Sequence, residues 1–128
     1  MKKLIALCFL LVQLGYGMDI EWSKTGHRTI GEVAQQHLSG KAKKALKKLL
    51  NGQSLALVSN YADEVKADRS FAKFGPWHYV NYPADKKYTE VPPSEEGDII
   101  IGIEKCIEIV KDANSKEEDK VFYLKMLI

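Results

Sequence analysis

Gly26 to Gly52, GHRTIGEVAQQHLSGKAKKALKKLLNG, is helical twice over and decides the class of the fold. Ile30, Val33, Ala34, His37 and Leu38 follow the i, i+3, i+4, i+7, i+8 spacing of one helix face, and Ser39-Gly40 closes the run. Ala42, Ala45, Leu46, Leu49 and Leu50 repeat that spacing, with Lys41, Lys43, Lys44, Lys47 and Lys48 opposite them and Asn51-Gly52 as the stop. The lysine run is read as a solvated helix face. His27 stands one turn ahead of Ile30 and shares its face, at the mouth of the first helix.

The same periodicity continues outward. Ser54 is placed to cap a third helix in which Leu55, Val58, Ala62 and Val65 point one way, with Asp63 at the edge of the stripe. From Phe71 the pattern changes. Phe71, Phe74, Trp77, Tyr79 and Tyr82 crowd a stretch broken by Gly75-Pro76 and ended by Pro83, which predicts extended chain near residues 75–83. Alternation there puts Trp77, Tyr79 and Asn81 on one side and His78, Val80 and Tyr82 on the other. Residues 84–97, with Pro92-Pro93 and mixed charges, read as a surface loop. Ile99, Ile103, Cys106, Ile107 and Val110 give a fourth helix, Asp112-Ala113-Asn114 a turn, and Ser115 with Glu118 a capping box for a fifth. That helix reaches Ile128 without a glycine, asparagine or proline to end it, so the domain is expected to be interrupted there, after about five helices. The expected fold class is all-α.

A chain of 128 residues suffices for one domain with one modest core. Met1-Lys2-Lys3, the apolar run Leu4 to Leu14 and the small-residue triplet Gly15-Tyr16-Gly17 have the three parts of a secretory signal peptide. The run is shorter than the roughly 20 residues of a membrane span, so no stable membrane anchor is expected. Residues 1–17 are assigned to the signal and 18–128 to one domain, secreted or periplasmic. Lys2 and Lys3 belong to the 19 basic residues, so their loss leaves a basic count equal to the 17 acidic ones. Bulk positive charge therefore does not recommend the mature chain as a nucleic-acid binder, and phosphate affinity must come from a local site. Cys8 leaves with the signal, and Cys106 is read as a small buried hydrophobe or the partner of a cysteine elsewhere.

His27, Asp63 and His78 are donors of the kind zinc takes from proteins, although by spacing alone a core histidine and a salt-bridged aspartate are the commoner readings. His37 reads as a boundary residue of the first helix. The three stretches WSKTGHRTIGEVAQQHL (22–38), LVSNYADEV (57–65) and WHYVNYP (77–83), in that order, resemble the first half of the secreted zinc-dependent single-strand nucleases of the S1/P1 type, which are related to bacterial zinc phospholipase C. The resemblance runs from Trp22 to Ile128.

It implies a mostly helical fold around three zinc ions at the bottom of a cleft. It also implies hydrolysis of phosphodiester bonds of single-stranded DNA and RNA and of 3'-phosphomonoesters to 5'-nucleotides by metal-activated water. Asp63 and His78 are thereby expected to hold one zinc, and His27 with the backbone amine and carbonyl of Trp22 a second. The remaining ligands belong to a histidine-rich HxxGDxHQPxH helix and a later His/Asp pair that this sequence does not contain, so residues 1–128 alone are expected to hydrolyse weakly or not at all. Asp63 would also orient water, and Lys66, where the family usually has arginine, would place a cation near the phosphoryl oxygens without the bidentate fork. Tyr79 falls where the family stacks a base, and Asn81 where fungal members read it with aspartate. Amine ligation by Trp22 requires the chain to start there, whereas the triplet at 15–17 predicts cleavage after Gly17, leaving Met18 to Glu21 ahead of it.

No obligate protein partner is implied. The alternatives are a zinc phospholipase C and an exported non-catalytic helical binding module. Tyr79 and Asn81 favour the nuclease over the lipase, because phosphocholine recognition has no use for base stacking.

Overall fold

The computed structural model describes residues 22–92 and 94–128, leaving aside the side chains of Trp22 and Ser23. The expected signal peptide, its cleavage point and Met18 to Glu21 lie outside the described residues. Within them the elements are α1 (Trp22–His37), α2 (Gly40–Leu49), α3 (Leu55–Val58), α4 (Tyr61–Ala67), a 3-10 helix over Arg69–His78, a 3-10 turn at Tyr88–Glu90, α5 (Ile99–Lys111) and α6 (Glu117–Leu127). No strand occurs among the described residues, and the fold is all-α as expected.

Caps set several of these boundaries. Ser39 Oγ accepts the Ala42 N–H to start α2, and Ser54 Oγ accepts that of Leu57 to start α3. Asp98 Oδ1 takes the N–H groups of both Ile100 and Ile101 at the head of α5, while its Oδ2 accepts from the Tyr88 hydroxyl at 2.9 Å. Burial alone pushes the Asp98 carboxyl up, but these three donors outweigh it and hold the group below the usual carboxylate range.

Leu50, Leu55, Val58 and Leu124 form the buried core, with Leu38, Leu46, Leu49, Val110 and Ile128 packed on it. The apolar side of α2 thus leans on the core through half-buried Leu46 and Leu49, while Ala45 of the same predicted stripe stays exposed. An aromatic layer adjoins this core. Phe74 lies 5.3 Å from Phe122 and 5.1 Å from Trp77 between ring centroids, and Phe122 also meets Phe71 and Tyr61.

Four expectations need correction. The predicted third helix is two: Ser59 turns its hydroxyl onto the Ala56 carbonyl, competing with the helical ladder, and α4 starts afresh after Asn60, whose side chain makes no cap bond. The capping box at Ser115 does not form; Lys116 occupies the cap, while Asp112 folds an Asx turn onto Asn114 N. The chain at 75–78 is 3-10 helix, not extended, because proline's fixed φ suits a tight helical turn as well as a strand; the extended conformation begins at Tyr79 (φ −139°, ψ 153°).

The fourth correction concerns the packed face of α1. Ile30 and Val33 are 66% and 50% exposed, whereas Gly31 is buried against α3. A Cβ there would stand 2.8 Å from the Leu55 carbonyl oxygen and 2.9 Å from Ala56 N. Only glycine lets the two backbones meet so closely. Gln35, one turn on, accepts the Leu55 N–H through Oε1 at 2.9 Å. The contact stripe is therefore His27, Gly31, Gln35 and Leu38, and His27 belongs to it.

Candidate metal and phosphate site

The α1–α3 contact aims His27 at the helix that follows α3. Its Nε2 lies 3.4 Å from Asp63 Oδ2 on α4, both side chains being about half exposed (47% and 40%). Lys66, one turn beyond Asp63, faces the same space. The third contribution arrives through Trp77, whose side chain packs on Gly102 of α5, where a Cβ would stand 3.0 Å from its Cβ, Cγ and Cδ2. With Trp77 seated there, the 3-10 helix ends at His78, and the Tyr79 carbonyl accepts the Ile99 N–H at 3.0 Å, tying the segment to the head of α5.

His27, Asp63, Lys66, His78 and Tyr79 consequently line one cavity of about 370 Å³, with Ser59 and Ala62 beside them and Trp77, Ile103, Cys106 and Met126 to Ile128 forming an apolar side. Three segments far apart in sequence thus bring the expected site residues to a common wall. The Lys66 ammonium is hydrogen-bonded to the Tyr79 hydroxyl and lies 4.6 Å from the centre of its ring. Tyr79 is 55% exposed. Asn81 is not in this cavity. It lines an adjoining groove of about 440 Å³ with Pro76, Tyr88, Val91 and Gly97, and Tyr79 is the wall common to both. His37 ends α1 in solvent, away from either.

His78 bears on whether a metal fits. Its Nδ1 lies 3.0 Å from the Phe74 carbonyl oxygen and 3.2 Å from that of Gly75, and its Nε2 lies 3.0 Å from the Ala62 carbonyl oxygen. Carbonyls only accept, so a neutral ring satisfies one side and turns a lone pair toward oxygen on the other. An Nδ1–H given to a backbone carbonyl is how ligating histidines are oriented, and it leaves Nε2 as the metal-seeking atom. The nitrogen and oxygen donors on this wall have the chemistry zinc takes. Among the described residues no three His, Cys, Asp or Glu side chains close on a common point. Trp22 opens α1, within reach in sequence of His27, but its side chain is outside the described residues.

Sequence reasoning did not anticipate the apolar side of the cavity. Trp77 was expected on the Tyr79 side of a strand and Cys106 on a core face; the flanking glycines 97 and 102, which leave room for an indole, were the available signal.

The S1/P1 Nuclease family model matches residues 22–128. The chain belongs to the S1/P1 nuclease family. Endonuclease 4 of Arabidopsis thaliana is similar to it, 31% identical over 86 residues that make up 65% of this chain and 28% of the relative, so the chain spans under a third of that protein's length. No solved structure matches. The region matched by the family model begins at Trp22 and contains every residue of the cavity.

Proposed function

We propose that this chain supplies one wall of the active centre of a secreted or periplasmic zinc-dependent nuclease, which hydrolyses phosphodiester bonds of single-stranded DNA and RNA, and 3'-phosphomonoesters, to 5'-nucleotides. The supporting observation is the gathering of His27, Asp63, Lys66, His78 and Tyr79 into one cavity from α1, α4 and the 3-10 helix. Asp63 and His78 would hold one zinc, and His27 with the main-chain donors of Trp22 a second. Bound zinc supplies Lewis acidity and an acidified water near neutral pH.

The chain's own residues do the positioning. With the proton on Nδ1, the Phe74 carbonyl would accept from it and fix the His78 ring, leaving Nε2, now 3.0 Å from the Ala62 carbonyl oxygen, to turn to the metal. The Asp63 carboxylate accepts a hydrogen bond from the attacking water and so directs its lone pair. Lys66 neutralises charge that builds on the phosphoryl oxygens. The Tyr79 ring offers a face to the base, and the amide of Asn81, in the adjoining groove, both donates to and accepts from a base edge.

The test uses the protein expressed from its whole gene. Single-stranded DNA is cleaved, a chelator stops the cleavage, and His78→Ala lowers bound zinc per chain; unchanged zinc in that variant refutes the ligand assignment. Lecithin assayed in parallel is left intact, and its preferential hydrolysis would replace the nuclease by a phospholipase. N-terminal sequencing of secreted material separates a start at Trp22 from a start at Met18, which rules out amine ligation.

A further inference from the structure

A second cavity, of about 360 Å³, lies at the junction of α1, α2 and the turn into α3, lined in part by Gln35, Lys43, Lys47, Gln53 and Ser54. No acidic side chain lines it. Two of its side-chain oxygens are already engaged: Gln35 Oε1 takes the Leu55 N–H and Ser54 Oγ takes that of Leu57. The Gln35 amide NH₂, the Ser54 hydroxyl proton and the Lys43 and Lys47 ammonium groups are left as donors, with Lys43 Nζ 3.4 Å from the Gln36 carbonyl oxygen and the Gln36 and Gln53 amides able to donate or accept beside them. The α2 sequence GKAKKALKKL contains no carboxylate, and among the described residues none of its five lysines is ion-paired with one. We infer that this cavity, with the lysine face of α2 beside it, is a second phosphate-binding site that holds the backbone of a single strand away from the nucleotide being cut.

This inference rests on the nuclease reading for the identity of the polyanion. Gln35 follows His27 by about two turns of α1, or about 12 Å along its axis. One strand reaching both places must therefore extend past a single nucleotide. A membrane surface fits less well, since an interfacial helix buries an apolar face in lipid and α2 has committed Leu46, Leu49 and Leu50 to the core.

The experiment measures binding of fluorescein-labelled dT oligomers of about 4 and about 20 nucleotides to the chain by anisotropy, at several salt concentrations without metal. Each phosphate contact on a single strand contributes about 0.7 to the slope of log K against log salt, so Lys43→Gln/Lys47→Gln should lower the slope by about 1.4 and weaken binding of the long oligomer about 25-fold at 0.1 M salt. Lys111→Gln/Lys120→Gln, with the same change of net charge on α5 and α6, should change neither appreciably. The short oligomer should respond little to either pair.

Equal losses in the two double variants, or none in the first, would overturn the inference. If Tyr79→Ala weakens binding while Lys43→Gln/Lys47→Gln does not, or if no oligomer binds at all, the second site is rejected; the nuclease reading is decided separately by the cleavage and zinc-content assays on the whole protein. Retention of the chain on phosphatidylserine vesicles through Lys43 and Lys47, without oligomer binding, would assign the site to lipid and overturn the proposal as stated.

Discussion

Replacing Gly31 by alanine sets helix propensity directly against packing. In an open helix interior the change stabilises by about 0.8–1.0 kcal/mol. Here the added Cβ would be 2.8 Å from the Leu55 carbonyl oxygen and 2.9 Å from Ala56 N, both main-chain atoms that cannot swing aside. Overpacking of this kind costs about 1–3 kcal/mol, toward the upper end when backbone must move. Separating α1 from α3 also strains the Gln35–Leu55 hydrogen bond, a further loss on the order of 1 kcal/mol. The expected net loss is about 3 kcal/mol, which at a urea m value of about 2 kcal/mol/M lowers the midpoint by about 1.5 M. Gly40→Ala is the reference: nothing lies within 4 Å of its Cβ, so only the propensity gain should appear. Because His27 precedes Gly31 by one turn, the displaced α1 also draws its imidazole from Asp63, and the 3.4 Å His27–Asp63 contact should open in the folded Gly31→Ala chain. A Gly31→Ala midpoint at or above that of wild type would refute the claim that this glycine sets the α1–α3 distance.

Two more outcomes follow from groups outside the cavity's polar wall. Burial pushes the Cys106 thiol up to about 11 from an ordinary 9.0, and the side chain is 2% exposed. The folded chain therefore resists ionisation that the unfolded chain accepts, so this contribution is present below about pH 9 and is lost between about 9 and 11, by roughly 2–3 kcal/mol. Urea midpoints across that range should fall in wild type more than in Cys106→Ala, and equal slopes would contradict it. The Asp98 carboxyl is held low, so its contribution is present above the unfolded value of 3.8 and is lost as pH falls through the folded one. Asp98→Asn should flatten the acid limb of the stability curve, with Tyr88→Phe flattening it less; an acid limb identical in all three proteins would exclude Asp98 as its source.

Much of the helical layout could be read from the chain because its signals are local. The stop at Asn51-Gly52 needs positive φ at both residues, and both have it (50° and 79°). Ser54 caps where its sequence context says it should, while Ser39, read as the close of the first helix, also caps the second. The α1 face was misread because periodicity counts apolar side chains, whereas the real contact is made by the residue without one. Gly31 in mid-helix was the clue, since such a glycine costs about 1 kcal/mol against alanine and is kept for a packing reason. The break at Ser59-Asn60 has one local signal, the Ser59 hydroxyl that bonds back to the Ala56 carbonyl, but the apolar stripe of Leu55, Val58, Ala62 and Val65 runs straight across it.

The aromatic stretch shows how a wrong local conformation can still leave the right residues named. Strand alternation assigned His78 and Tyr79 to opposite faces, and on a strand only one of them would see the cavity. In the folded chain both do, because the 3-10 helix ends at His78 and the first extended residue is Tyr79. That switch is held from a distance: Trp77 needs the bare surface of Gly102, and Tyr79 needs the Ile99 N–H, both on α5, 25 and 20 residues later. Sequence spacing within 75–83 carries none of this information. The imidazole and the aromatic ring share the cavity because a helix not adjacent in sequence offers a glycine where the indole docks, so Gly102 positions His78 and Tyr79 without touching either function.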